Sequence, residues 1–240
     1  MSTTNRARRE VRPTDQLPEG ATSPDAKPRV TFTARRRGKA PRHLADFDQK
    51  ERKEFVSEAG LPSFRADQLS RHYFERHISD PALMTDMPKS AHDLIASTLL
   101  PPLVREIAVL EADGGETLKH LWELYDGARV ESVLMRYTDR TTLCISSQAG
   151  CGMGCPFCAT GQMGLTRNLS TAEIIDQVRA AHQACEEGLV GGSPTHLSNV
   201  VFMGMGERLA NYKAVVAALH RIIDPVPAGF GMSARNVTVS

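Results

Sequence analysis

From residue 44 onward the chain switches between two spacings of apolar side chains, and the switches divide it into regions. Between Phe47 and Gly60 apolar positions recur at helical intervals, and Gly60-Leu61-Pro62 supplies a stop signal. A second helix is predicted over Ala66 to His77, with Leu69, Tyr73 and Phe74 on one face. A third runs from Lys89 to Leu100 and ends at Pro101-Pro102, because a proline disfavours helical backbone in the residue before it. The period then falls to two. Leu118 to Tyr125, the turn pair Asp126-Gly127, and Arg129 to Met135 read as a β-hairpin.

Beyond Thr141 the pattern changes again. Leu143-Cys144-Ile145-Ser146 predicts a short strand. Ser170-Thr171-Ala172-Glu173 has the form of a capping box, and the helix behind it carries Ile174, Val178, Ala181 and Cys185 on one stripe. A buried strand is predicted over Asn199 to Met203, followed by a loop at Gly204-Met205-Gly206 and a helix from Tyr212 to Ile223. Asn236 to Ser240 is strand-like again. Strand, helix, strand, helix, strand is the order of a parallel sheet with crossover helices. The fold class is therefore α/β, with four expected regions: a tail over 1–43, a helical module over 44–104, a hairpin connector over 105–140, and an α/β core over 141–240.

The net charge of +1 conceals an asymmetry that alters the view of the tail. Residues 1–43 hold eleven Lys or Arg against four Asp or Glu, whereas the remainder is acidic overall. The tail is rich in Pro, Ser, Thr and Arg and poor in large apolar side chains, so it is expected to be disordered. Its densest run, Arg35-Arg36-Arg37-Gly38-Lys39, suits phosphate contacts, and equally suits a solvated extension without a partner. No apolar run is long enough to span a bilayer, and the N-terminus lacks the apolar core of a secretory signal. These features predict a cytoplasmic protein without membrane contact, in which thiols stay reduced.

Four of the five cysteines fall within TLCISSQAGCGMGCPFC, residues 142–158. Cys151, Cys155 and Cys158 form a C-x3-C-x2-C spacing just after a predicted strand, and Gly150, Gly152 and Gly154 let the backbone turn tightly between them. Three soft thiolates on one loop can hold three irons of a 4Fe–4S cluster and leave the fourth open to an external ligand. A zinc site recruiting Cys144 is the competing reading, although the paired C-x2-C knuckles usual in such sites are missing.

The spacing, with Phe157 before the last cysteine, resembles the cluster loop of radical S-adenosylmethionine enzymes. The longer run TLCISSQAGCGMGCPFCATG resembles the RlmN family, as do FRADQ at Phe64–Gln68, RNL at Arg167–Leu169 and VFMGMGE at Val201–Glu207. The resemblance runs from about Leu44 to Ser240. It implies the first half of a partial (β/α)6 barrel and an enzyme that methylates C2 of adenine in 23S rRNA and tRNA. It further implies that Cys151, Cys155 and Cys158 hold a 4Fe–4S cluster whose open iron binds S-adenosylmethionine. Gly206, Glu207 and Ser240 fall at cofactor-contact positions, Glu131 at the position of a proton acceptor, and Cys144 at that of a second reactive cysteine. An electron donor such as flavodoxin is implied as a partner, and the helical module and tail as the parts that face RNA.

Plainer alternatives stand beside these roles. Cys144 alternates with Leu143 and Ile145 and could be a small core residue, Glu131 could lie on a solvated strand face, and a Gly-x-Gly turn is common after any strand. Met203 and Met205 read as filler, Cys185 as packing, and no histidine is given a role. Two departures from the family pattern stand out. Family members read Gly-Glu-Pro-Leu where this chain has Gly206-Glu207-Arg208-Leu209, so the turn is expected to be looser and the cofactor more weakly bound. The family's methyl-carrying cysteine has no counterpart after Cys185, from which a truncated form able to assemble a cluster but not to transfer methyl is expected. The alternatives are a related enzyme acting on C8 of adenine and a non-catalytic zinc- or RNA-binding protein.

Overall fold

A computed structural model of the protein describes residues 40–240. The basic run and nearly all of the expected tail lie outside the described residues. None of the described helices is long and apolar enough to cross a membrane.

The helical region opens with α1 (Gln49–Glu58), closed at its start by a reciprocal box in which the Asp48 carboxylate accepts from the Glu51 N–H and Glu51 accepts from the Asp48 N–H. Helix α2 (Arg65–Phe74) buries Leu69, Tyr73 and Phe74 as its apolar stripe predicts. The third predicted helix is less regular. It is a 3-10 turn at Lys89–Ala91, then α3 (His92–Leu94), then a π-helical turn over Ile95–Leu99.

The chain then enters a meander of β1 (Val104–Ala112), β2 (Thr117–Leu124), β3 (Arg129–Arg136) and β4 (Thr141–Cys144), each antiparallel to the last. A small ribbon follows, β5 (Gln148–Gly150) against β6 (Leu165–Asn168), with α4 (Ala159–Gln162) between them. Helix α5 (Thr171–Glu186) leads to β7 (Asn199–Phe202), and α6 (Tyr212–Ile223) leads to β8 (Val237–Val239). Strands β4, β7 and β8 are parallel, and six strands form one sheet in the order β1-β2-β3-β4-β7-β8. The predicted hairpin is thus the middle of a meander that shares a sheet with the parallel strands. Strand β1 went unforeseen because Arg105-Glu106-Ile107-Ala108-Val109-Leu110-Glu111 has a helix former's composition and is mostly exposed.

Alternation gives the sheet two unlike faces. Leu118, Trp122 and Leu124 of β2, Val130 and Leu134 of β3, Leu143 of β4, and Val200 and Phe202 of β7 are buried. They share one core with Ile174 and Val178 of α5 and with Ala218 and Ile222 of α6. The opposite face carries Lys119, Leu121, Glu131, Val133, Thr142, Cys144, Asn199 and Val201, all half-buried.

Polar anchors join the helical region to the α/β region. Arg52 on α1 is fully buried, and its guanidinium donates to the carbonyls of Phe47 at 3.0 Å, Pro227 at 3.1 Å and Ala228 at 2.8 Å, and to Ser70 Oγ at 3.2 Å. Its plane lies over the Phe74 ring at 4.3 Å. Burial, and then the charge of Arg221, lower Arg52 to about 9. Nearby, the Tyr73 hydroxyl donates to Asp176 Oδ1 at 3.1 Å, and Arg179 Nη1 donates to the His77 carbonyl at 3.1 Å. His77 stacks on His182 at 4.3 Å, and Phe230 stacks on His182 at 5.0 Å.

Two consequences are measurable. Arg52→Met leaves three half-buried carbonyls and the buried Ser70 hydroxyl without their donor and is expected to cost about 3 kcal/mol in urea unfolding; a loss below about 0.5 kcal/mol would contradict the anchoring role. Burial lowers His43 to about 4 and His182 to about 3, so both are neutral in the fold while the unfolded chain titrates them near 6.5. Their stabilisation is complete above 6.5 and is lost as the pH falls below it. Unfolding at about pH 5 should be easier than at about pH 7.5 by about 2 kcal/mol per histidine, and His182→Asn should halve that loss.

Candidate functional site

Parallel strands end on the same side of a sheet, and loops there converge. Here the loops are the stretch after β4, which contains the cysteines, and Met203–Glu207 after β7, with Ser240 just past β8.

The cysteine loop is fixed at its base by the β5–β6 ribbon. Gly150 has φ +76°, and a Cβ there would lie 2.1 Å from the Gly164 carbonyl oxygen, so only glycine fits. Cys151 N–H donates to that same oxygen at 3.1 Å. The far side closes through Cys158 N–H to the Cys155 carbonyl at 3.1 Å and Gln162 N–H to the Cys158 carbonyl at 3.1 Å. Cys151 is buried, Cys155 and Cys158 are half-buried, and Phe157 is 89% exposed. All five cysteines are free thiols.

Among the described residues no three of His, Cys, Asp or Glu stand together as a ready metal site. The donor set nevertheless suits an iron–sulfur cluster better than a hard cation: three soft sulfurs on one short, glycine-turned loop, with no carboxylate or imidazole in it.

The second loop is locked onto the first. The Met205 carbonyl accepts from Ser147 N–H at 2.9 Å and Gln148 N–H at 3.2 Å, while Met205 N–H donates to Ser146 Oγ at 2.8 Å. Ser146 Oγ in turn donates to the Glu131 carbonyl at 2.6 Å. Gln148 Oε1 accepts from Glu207 N–H at 2.7 Å, and its Nε2 donates to Asn168 Oδ1 at 2.7 Å. Gly206 has φ +105°, and a Cβ there would come within 2.5 Å of Gln148 Cβ. Asn211 Nδ2 completes the frame by donating to the carbonyls of Ser147 and Leu169, each at 2.9 Å.

Arg167 ties the ribbon to α5. It donates to Glu173 at 2.7 and 2.8 Å and to Asp126 at 2.9 and 3.2 Å. Burial alone would lower its proton affinity, but the two carboxylates hold it above the ordinary guanidinium value. Gln148, Arg167 and Asn211 have structural roles that periodicity does not reveal, although Gln148 and Arg167 fall within the runs that carry the family resemblance.

Cys144, Gly206, Glu207 and Ser240 therefore gather at one end of the parallel strands. Glu131 lies one strand away on the half-buried face, where Lys119 Nζ meets its carboxylate at 2.9 Å. Cys144 sits opposite Val133, two residues along β3 from Glu131. Burial pushes its thiol up, against the pull of Met203 N–H and Arg208. Glu207 Oε1 accepts from Leu209 N–H at 3.0 Å and caps the 3-10 turn Arg208–Asn211. Arg208 does not slacken this turn as expected. Its guanidinium donates to the Phe202 carbonyl and, at 3.4 Å, to that of Gly206, so it ties the loop to the end of β7.

Comparisons with known proteins converge on this architecture. Residues 42–99 match the family described as "Ribosomal RNA large subunit methyltransferase N-terminal domain". A protein of Rhodococcus erythropolis named "Probable dual-specificity RNA methyltransferase RlmN" is 62% identical over 211 residues, covering 88% of this chain and 57% of that protein. One of the same name from Kocuria rhizophila is 58% identical over 214 residues. The crystal structure of a radical SAM methyltransferase from Sphaerobacter thermophilus matches with a TM-score of 0.76 and 39% identity, covering 83% of this chain and 56% of that one. The chain thus spans little more than half the length of these relatives.

The glycines separate shape from flexibility. Gly150→Ala, which clashes with backbone, is expected to cost about 3 kcal/mol, whereas Gly154→Ala, at φ +64° with open space around it, should cost about 1 kcal/mol. Thermal unfolding of the two variants measures the difference.

Proposed function

The chain belongs to the RlmN family, and we propose that it holds the cluster and the cofactor of a radical S-adenosylmethionine RNA methyltransferase. The observation that carries this reading is the loop from Cys151 to Cys158, with three free thiols turned by glycines beyond the first parallel strand. Cys151, Cys155 and Cys158 would be the ligands of the 4Fe–4S cluster. When bound, cluster and S-adenosylmethionine supply the one-electron chemistry needed to put a carbon on C2 of adenine, a position too electron-poor to attack a methyl sulfonium.

Binding and proton handling fall to the protein's own side chains. Glu207, fixed by Gln148, offers a carboxylate that can accept from the ammonium of S-adenosylmethionine, and Gly206 lets backbone come close to it. Ser240 lies at the same strand ends and offers a hydroxyl. Glu131 would take up the proton lost from the adenine ring, with Lys119 balancing its charge. Cys144 would act through its thiolate on the covalent enzyme–RNA link. The substrates on this reading are 23S rRNA and tRNA, the electron donor is of flavodoxin type, and the helical region faces RNA. The domain limits expected from the sequence serve as the working division.

Two experiments test the reading. Anaerobic incubation of this chain with iron and sulfide should yield a brown protein with about four irons per chain, and Cys155→Ala should abolish the colour. Zinc uptake, or no metal, would overturn it. In a full-length chain carrying these residues, mass spectrometry of treated RNA should find 2-methyladenosine, reduced about 100-fold or more by Glu131→Gln. Methylation at C8 would move the enzyme to a different reaction.

A further inference from the structure

A cleft lies against the candidate site and has no part in the chemistry proposed for it. Its volume is about 640 Å³, and it is lined by Ala40, Arg42 and Phe47 of the helical region and by Thr171 of α5 and Lys213 of α6. Asn168 and Leu169 complete its wall. These two are bonded to both site loops. Asn168 Oδ1 accepts from Gln148 Nε2 at 2.7 Å, Asn168 Nδ2 donates to the Ala210 carbonyl at 3.4 Å, and the Leu169 carbonyl accepts from Asn211 Nδ2 at 2.9 Å. The cleft therefore adjoins the loops that carry the site.

The charged groups around it differ in what they leave free. Arg167 is occupied by Glu173 and Asp126. The two oxygens of Asp46 accept from the N–H groups of Ala172 at 2.9 Å and His43 at 3.1 Å, and Ser170 Oγ accepts from Glu173 N–H. The first turn of α5 is thus already capped, and the cations are what remains for an anion. Lys213 is exposed and has no ion pair among the described residues. Arg42 lies over the rings of Phe47 and Phe55 and meets Glu58 at 3.1 Å in an exposed pair, the kind that water and salt weaken most. In the sequence Ala40 follows directly on Arg36-Arg37-Gly38-Lys39, so three more cations are covalently joined to the cleft. Tyr212, immediately before Lys213, opens α6 with 61% of its surface exposed.

Solvent-facing cations beside an exposed aromatic ring match a single nucleic-acid strand, whose phosphates meet the charges and whose bases stack on the ring. We propose that this cleft docks a single RNA strand, with phosphates on Arg42 and Lys213 and one base on Tyr212, next to the nucleotide that enters the site. The inference rests on the reading of the protein as an RNA methyltransferase, and adds the surface that holds the RNA. The bases of an A-form duplex are stacked on one another and cannot reach Tyr212, so the strand is unpaired here.

The test measures binding by the 240-residue chain without iron or S-adenosylmethionine, so it is separate from cluster assembly and from the position methylated. The probe is a fluorescein-labelled RNA of about twelve nucleotides without self-complementarity, titrated by anisotropy at several salt concentrations. Arg42→Gln and Lys213→Gln should each weaken binding about three- to tenfold and reduce the slope of log affinity against log salt by about 0.7, one phosphate contact on a single strand. Tyr212→Ala should weaken it about five- to fiftyfold with the slope unchanged. Lys89→Gln makes the same change of charge at an exposed position outside the cleft and should bind as the native chain does. Equal losses from Lys213→Gln and Lys89→Gln, no loss from Tyr212→Ala, or equal affinity for a duplex of the same sequence would overturn the proposal. If a variant fails to fold, the native chain decides by reductive methylation of its lysines. Bound RNA should slow the reaction at Lys213 and leave Lys89 unchanged, and equal rates at Lys213 with and without RNA overturn the docking. No binding by the native chain overturns it too, while 2-methyladenosine from a full-length chain would still support the enzyme reading, so the two fail separately.

Discussion

A single guanidinium buried away from water holds the two regions of the described structure in register. Arg52 leaves α1 and is solvated by protein: carbonyl oxygens at Phe47, Pro227 and Ala228, the Ser70 hydroxyl, and the face of Phe74. Desolvating such a charge is expensive, and acceptors in fixed positions offset it. The helical region therefore cannot slide over the α/β region without stranding a cation. Asp176, Tyr73 and Arg179 add a second polar tie, and the ring stack of His77, His182 and Phe230 a third.

The site depends on a similar exchange of hydrogen bonds between loops distant in sequence. Ser146, Ser147 and Gln148 grip Met205 and Glu207, and the glycines at 204 and 206 permit the close approach. The loop expected to bind the cofactor is thus held by the loop that leads to the cysteines. Position in one is set by the other.

Periodic elements were legible in the sequence because burial imposes their period. α1, α5, α6, β7 and the β2–β3 hairpin lie within a few residues of their predicted spans, and the Ser170–Glu173 cap forms as read. That three cysteines share one loop after a strand was legible from their spacing. What stayed hidden depends on contacts across long separations. Arg52 reaches residues about 175 positions away, and Gln148 reaches Glu207 across 59. Strand β1 and the β5–β6 ribbon were hidden for another reason, since exposure in one and shortness in the other leave no period to read. Met205, read as filler, acts through its backbone, which no side-chain pattern records.

The outer edge of β1 carries a further meaning. Nine residues long, it lies at one end of the sheet, and its exposed side chains include Val109, Leu110 and Glu111, with Arg105 and Glu106 paired to Glu123 and His120 of β2. A long strand with an open ladder invites another chain to zip onto it, and charges of both signs make that association costly. Electrostatic mismatch along this edge thus disfavours the pairing of a second chain.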